Sequence, residues 1–324
     1  MGDKDLLAFE RLGHIKVPGL VERAGMDVKS LSAAFAREFA AMEPDALRQK
    51  LRVLGADPRK TASLRSNAEL REALEDWCES AGMEVPFLQA FQMHRGTSAD
   101  AREIAKLAES SEVGKAAANL LGVPSVMLYQ TAGFVKEPGD GETAWHSDLN
   151  TSPFDTSYMV TFWVALTPVR NDRDSPLVFG GRSHRDFALP YWYSDSGMAD
   201  LGTRGYLIKD HAPFKPGDAS AHHGWVLHSA PPLEADTRRM ALSLTFVEEG
   251  ARLLPNGSKL RKKPDDEDRE GYADWLSAFR PGEAVSHPLL PITYPPGRTP
   301  RGPPSRAPET SQRGAGEGGR AREG

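Results

Sequence analysis

Apolar residues recur at spacings of three and four along the first third of the chain and at spacings near two along the middle third. That change of period divides the sequence. Val28, Leu31, Phe35, Phe39 and Met42 share one stripe, so Asp27 to Met42 is expected to form an amphipathic helix. Ser66 is placed to cap a second helix whose buried stripe is Leu70, Leu74 and Trp77, and Ser98 a third carrying Ile104 and Leu107. Ahead of these, His14 to Leu20 alternates, with Ile15 and Val17 on one face, and stops at Pro18-Gly19, the pattern of a short strand and turn. From Ser125 the runs shorten and are broken by Gly, Pro and Asp: Ser125 to Gln130, Phe134 to Lys136, Tyr158 to Leu166, Leu177 to Phe179, Ala219 to Leu227 and Met240 to Val247 all read as strands. So many short strands in succession predict a sandwich or barrel, a mainly β fold with flanking helices. Beyond Glu248, a helix over Asp268 to Phe279 would bring Tyr272, Trp275, Leu276 and Phe279 to one side. The mixed-sign run Arg261 to Glu270 before it reads as solvated surface. After Tyr294 the chain is Pro, Gly, Arg, Glu and Ser, too poor in apolar side chains to offset its ordering entropy, and 295–324 is expected to be disordered. There is no internal repeat.

Composition narrows the class of protein. With 324 residues, 39% of them hydrophobic, a sizeable core is assured. A net charge of −5 and a pI near 6.0 give no basic field, so neither nucleic acid nor an anionic membrane is the expected partner. The single cysteine, Cys78, can form no internal disulfide and no thiolate cluster, which fits a reducing compartment. Nothing beside it would lower its pKa, and it reads as a structural residue at the end of the second helix. There is no signal-peptide pattern, no apolar run of about 18–20 residues and no peroxisomal ending, so a cytoplasmic location is expected. The pattern does not fix an oligomeric state, and a monomer is compatible with it.

The chemistry gathers in Thr143 to Asn150, where His146 precedes Asp148 by two residues, a spacing that puts both side chains on one side of an extended segment. A third nitrogen would complete a metal site, and His222, His223 and His228 are the claimants. His222 and His228 share strand parity, so alternation alone does not separate them. Two histidines and one carboxylate on one face of a metal leave the opposite positions open, the arrangement of non-haem Fe(II) oxygenases, although the same ligands also take Zn(II), Ni(II) or Cu(II). An oxygenase of this kind draws two further electrons from a 2-oxo acid, whose far carboxylate needs a fixed cation. Arg239 stands eleven residues after His228. On an extended segment only one of Arg238 and Arg239 points inward.

These residues, with others in order, resemble the phytanoyl-CoA dioxygenase family of Fe(II)/2-oxoglutarate oxygenases from about Phe9 to Phe246. The resemblance is carried by Phe9-Glu-Arg-Leu-Gly13, Leu120-Leu-Gly-Val-Pro124, Leu128-Tyr-Gln130, Lys136-Glu-Pro-Gly139, Trp145-His-Ser-Asp148 and Phe162-Trp163. It continues through Ser175-Pro-Leu-Val178, Gly181-Arg-Ser-His184, Gly217-Asp218, His228-Ser229 and Arg239-Met-Ala-Leu-Ser243. It implies a double-stranded β-helix, a cupin-like jelly roll, in one catalytic domain over 1–294: a helical part to 122, a jelly-roll core over 123–250 and an extension over 251–294. It implies iron on His146, Asp148 and His228, with 2-oxoglutarate and O2 as cosubstrates. Arg239 is then the partner of the distal carboxylate, and Gln130, Trp163 and Ser243 are further candidates for the cosubstrate pocket. His223 matches a family histidine that is not a ligand, and His184 reads as structural. His222 stands where an apolar residue is expected, a departure that suggests a polar contact near the site. Family members that halogenate are expected to lack the carboxylate; Asp148 is present, so hydroxylation of a small or acyl-type molecule, with release of succinate and CO2, is the implied outcome. A jelly-roll metal-binding protein or a non-oxygenase metalloenzyme is the competing reading. The aromatic run Phe187 to Tyr193 would suit a lid over the mouth or simple packing within its loop.

Overall fold

The alternating half of the chain resolves into two antiparallel sheets facing each other across a cavity. The computed structural model describes residues 1–186, 201, 204–255 and 271–303. Its strands are β1 (His14–Val17), β2 (Leu88–Phe91), β3 (Val126–Lys136), β4 (Thr143–His146), β5 (Phe154–Asp155), β6 (Met159–Ala165), β7 (Val178–Gly181), β8 (Leu207–Asp210), β9 (Ala219–His223), β10 (Leu227–Ala230), β11 (Arg239–Glu248), β12 (Arg252–Leu253) and β13 (Ile292–Tyr294). Among the described residues the larger sheet runs β1-β9-β6-β11-β3-β13, with β2 also paired to β3, and the smaller runs β4-β10-β7-β8. The helices are α1 (Asp3–Leu12), α2 (Leu20–Arg23), α3 (Val28–Val53), α4 (Pro58–Thr61), α5 (Asn67–Ala81), α6 (Ala99–Ala108), α7 (Ser111–Leu121), α8 (Asp148–Thr151) and α9 (Ala273–Leu276).

Alternation decides what each face of the larger sheet meets. Ile15 and Val17, Ala219 and Ala221, Val160, Phe162 and Val164, and Leu242, Leu244 and Phe246 point outward and join Leu31, Phe35, Leu74 and Ile104 of the helices in one core. Their neighbours in sequence, among them Thr161, Trp163, His222, Arg239 and Ser243, point into the cavity. The helices therefore back the sheet and leave its inner face for chemistry.

Several boundaries differ from the pattern-based expectation. The helix expected over Asp27 to Met42 continues through Pro44 to Val53, because Leu47 and Leu51 extend its buried stripe. The two expected caps form, Ser66 in a reciprocal capping box with Glu69 and Ser98 accepting from the Ala101 N–H, and Asp27, expected as the first residue of its helix, instead caps it by accepting from the Ser30 N–H. Cys78 is buried on α5 beside Leu74. Ser125–Gln130 and Phe134–Lys136, expected as two strands, are one. Gly133 carries the strand through a point where helical residues press on the backbone; a Cβ there would lie 2.3 Å from Met93 Sδ. Conversely, Ala219 to Leu227 is two strands. The chain turns at Gly224, where a Cβ would lie 2.7 Å from Leu149 Cγ, and passes from the larger sheet to the smaller.

The C-terminal extension packs on the core. Tyr272, Trp275 and Phe279 are buried in a cluster with Tyr129, Phe154 and Met159, but the described helix here is the single turn α9. The charged run Arg261 to Glu270 and the aromatic run Phe187 to Tyr193 lie outside the described residues. Of the stretch expected to be disordered, 295–303 is held to the surface: Arg298 pairs with Glu249, and the Arg301 N–H donates to Ser286 Oγ at 2.8 Å. Residues 304–324 lie outside the description. Among the described residues no helix is long and apolar enough to cross a membrane.

Candidate metal centre

β4 and β10 are antiparallel neighbours in the smaller sheet, and their register sets His146 directly opposite His228, with ring centroids 4.2 Å apart. Each imidazole is fixed through Nδ1, His146 by the Ala144 carbonyl at 2.8 Å and His228 by the Val226 carbonyl at 3.1 Å. A carbonyl can only accept, so both Nδ1 atoms carry the proton and both Nε2 atoms present lone pairs. Asp148 arrives differently from the expectation of one extended strand. β4 ends at His146, and Asp148 opens the helical turn α8, anchored by the Leu149 N–H on the Gly224 carbonyl at 2.9 Å. Asp148 Oδ1 then lies 3.5 Å from His228 Nε2 and 3.8 Å from His146 Nε2. One ligand atom from each residue falls within a 4.8 Å sphere of approach. Two ligands at right angles, each about 2.1 Å from one ion, are about 3 Å apart, so small side-chain movements complete the set.

The charges suit a divalent cation. Burial holds His228 neutral, well below the usual imidazole range, assisted by His146 and His222 nearby. Burial by itself would raise the Asp148 pKa, but the hydrogen bond from His222 holds the carboxyl well below its ordinary range. Two neutral imidazoles and one ionised oxygen are the donor set an Fe(II) site requires.

The second oxygen of Asp148 faces the larger sheet. Thr161 Oγ1 donates to Oδ2 at 2.6 Å, Thr245 Oγ1 lies 3.1 Å behind Thr161, and His222 Nε2 lies 3.2 Å from the same Oδ2. His222 is buried, 4.4 Å from the His228 ring by centroids, and reaches the site from the opposite sheet. His223 points away, its Nδ1 accepting from the Trp225 N–H and its ring packing on His184 and Phe9. His184 Nε2 donates to the Glu10 carbonyl at 3.0 Å, a structural contact.

Arg239 is 3% exposed and faces the cavity, whereas Arg238 turns outward to pair with Glu137. One Arg239 Nη1–H donates to the Ser175 carbonyl at 2.6 Å, the guanidinium lies 5.3 Å from the Trp163 ring centroid, and Nε is buried with no partner among the described residues. Burial lowers its pKa to about 10, Asp140 working in the opposite direction, so it remains a cation at neutral pH. Ser243, Trp163 and Gln130 line the same cavity, which measures about 880 Å³ including the space at its mouth. Gln130 sits at a bulge in β3, where the register to β11 shifts between Thr245 and Phe246, and this turns both Tyr129 and Gln130 inward.

Several of these participants had little sequence signal. Thr161 and Thr245 are polar residues inside apolar strands at the parity of Trp163 and Ser243, and that interruption is the mark that could have singled them out. Phe87, Gln89 and Phe91 enter the cavity from β2 and the residue before it, too short a run to read by pattern.

A family model described as phytanoyl-CoA dioxygenase matches residues 9–241. Among solved structures, the chain is similar to the non-heme alpha ketoglutarate dependent carbocyclase SnoK from nogalamycin biosynthesis, at 18% identity and a TM-score of 0.57 over 90% of this chain and 96% of that one. It is similar to the epimerase SnoN in complex with Fe3+, alpha ketoglutarate and nogalamycin RO, at 18% identity and a TM-score of 0.57 over 90% and 98%. A third is EctD from S. alaskensis with 2-oxoglutarate and 5-hydroxyectoine, at 19% identity and a TM-score of 0.53 over 88% and 86%. At these identities the similarity establishes the jelly-roll fold. No curated protein matches the chain.

Proposed function

The chain belongs to the phytanoyl-CoA dioxygenase family, and from that premise we propose that it is an Fe(II)- and 2-oxoglutarate-dependent dioxygenase that hydroxylates a small molecule. The observation that carries this is the convergence of His146 Nε2, His228 Nε2 and Asp148 Oδ1 on the wall of a cavity whose other wall holds the buried Arg239. Bound iron, with the 2-oxo acid and O2, supplies the two-electron oxidation of a C–H bond, releasing succinate and CO2.

The chain's own residues bind and orient. His146, Asp148 and His228 hold the metal by one face, and Arg239 receives the distal carboxylate of 2-oxoglutarate, its unpartnered Nε and remaining N–H groups offering paired hydrogen bonds. The Trp163 ring centroid lies 5.3 Å from the guanidinium, and Ser243 and Gln130 flank the cosubstrate. The substrate end is lined by Phe87, Phe91, Tyr129 and Phe134, with the Gln89 and Gln130 amides unpaired among the described residues. Apart from Asp148 and Arg239, the described lining has no lysine, arginine, aspartate or glutamate. A charged group buried there would have no counter-ion among the described lining residues, so that lining suits an uncharged part of the substrate near the metal. SnoK and SnoN are named as a carbocyclase and an epimerase, so the fold does not choose among these outcomes, and product analysis tests whether hydroxylation is the one catalysed.

The deciding test is anaerobic titration of the Fe(II)-loaded protein with 2-oxoglutarate, following the weak visible charge-transfer band of a chelated 2-oxo acid. The band is expected in the wild type. In Arg239→Ala, metal binding should persist while 2-oxoglutarate affinity falls about 10- to 150-fold, the worth of one hydrogen bond to a charged group. Unchanged cosubstrate affinity in that variant would refute the assignment of Arg239, and a wild type that binds iron without the band would refute the oxygenase reading.

A further inference from the structure

Nothing in the proposed chemistry requires His222, yet it reaches the centre from the sheet opposite the metal-binding strands. Its Nε2 is 3.2 Å from Asp148 Oδ2, the oxygen turned away from His146 and His228. The carboxylate is ionised and can only accept, so the bond requires the proton on His222 Nε2. The alternative tautomer would set a nitrogen lone pair against an oxygen lone pair. His222 Nδ1 is buried with no partner among the described residues, so no described contact draws the ring away. Thr161 also donates to Oδ2 at 2.6 Å, and with its proton committed there its oxygen accepts from Thr245 at 3.1 Å. Both donors come from the larger sheet, where Thr161 and His222 are register partners on β6 and β9.

Resting on the metal-centre reading above, we propose that His222 is a positioning residue which, with Thr161, occupies Asp148 Oδ2 and so keeps the carboxylate a one-oxygen ligand. With both lone pairs of Oδ2 taken by these donors, chelation through both oxygens would displace at least one hydrogen bond and use a coordination position. Held through Oδ1 alone, Asp148 leaves one face of the ion open for a bidentate 2-oxo acid and a further small ligand. The pair also fixes the direction of Oδ1, toward the two Nε2 atoms. This is the work of an outer hydrogen bond on a ligating carboxylate, whose loss typically costs metal affinity.

The test uses Co(II) alone as the probe, titrated into the full-length metal-free protein, with its visible absorption reporting affinity and coordination. Near-ultraviolet circular dichroism checks that each variant is folded. His222→Leu should bind Co(II) about 10- to 100-fold more weakly, with an altered spectrum. His222→Gln, whose amide can still donate, should return to within a few-fold of wild type with the wild-type spectrum. A rescue of this kind separates hydrogen bonding from bulk packing and from direct ligation. Thr161→Val, which removes the other donor, should lose affinity in the same sense and carries the test if His222→Leu does not fold. Wild-type affinity and spectrum in His222→Leu or in Thr161→Val overturn the proposal, as does an equal loss in His222→Leu and His222→Gln. Failure of the wild type to bind Co(II) overturns the metal-centre reading, and this inference with it.

Discussion

Lys136 is a lysine held in surroundings that oppose its charge. It sits on β3 directly opposite Arg239, fully buried, and donates to the Gly141 and Pro231 carbonyls at 2.8 and 2.7 Å, tying the loop before β4 to the loop after β10. Burial, reinforced by the neighbouring Arg239 charge, lowers its pKa from 10.5 to about 7. Between those values the unfolded chain binds a proton that the folded chain has lost, so stability should rise with pH across that window; below it, the cost of the buried charge is fully present. Urea midpoints measured across the window should climb in the wild type, and Lys136→Met should flatten the climb. An identical slope in the variant would mean that another group titrates. The same residue-level reasoning explains why Arg239 and not Arg238 enters the cavity: consecutive residues on a strand face opposite ways, and the outward one has Glu137 to meet.

At the scale of elements, two irregularities do more for the site than the regular strands around them. The turn at Gly224 sends β9 and β10 to different sheets, so His222 and His228, equal in parity, face each other instead of lying side by side. The bulge at Tyr129 turns two consecutive side chains inward, and Tyr129 is in turn braced by Phe154 and Trp275, whose ring centroids lie 5.1 and 6.4 Å away. That makes the C-terminal extension part of the cavity's support. Trp275 is fully buried and stacks on Phe154 at 5.6 Å, but its indole N–H has no partner among the described residues. Trp275→Ala should cost about 3–5 kcal/mol in a denaturant titration. Trp275→Phe, which keeps the stacking surface and removes the unsatisfied donor, should cost much less; equal losses would show that aromatic packing here is incidental.

At the scale of the molecule, the three proposed metal ligands come from the smaller sheet and the turn after β4, while Arg239 comes from the larger sheet, so a bound metal and 2-oxo acid would bridge the two. Binding to the folded state alone should therefore raise thermal stability. At a hundredfold excess over its dissociation constant a ligand adds about 2.7 kcal/mol, worth a few degrees in a protein of this size. Thermal melts should show one increment with metal and a second with 2-oxoglutarate, and Arg239→Ala should keep the first and lose most of the second. A second increment that survives in Arg239→Ala would place the cosubstrate elsewhere.

The sequence by itself determined the local pieces of this design. Period and capping residues marked α3, α5 and α6, alternation marked most strands of the two sheets, and parity separated Arg239 from Arg238, because each of these depends on a side chain's direction relative to its own backbone. The ordered motifs carried the family resemblance, which implied His146, Asp148 and His228 as candidate ligands. What the tertiary structure decided is which sheet each strand joins and what lies across the cavity. Alternation along a strand repeats every two residues whichever sheet receives it, so it could not distinguish His222 from His228. Only the turn at Gly224, packed against Leu149 and Met159, puts one histidine beside His146 and the other behind Asp148.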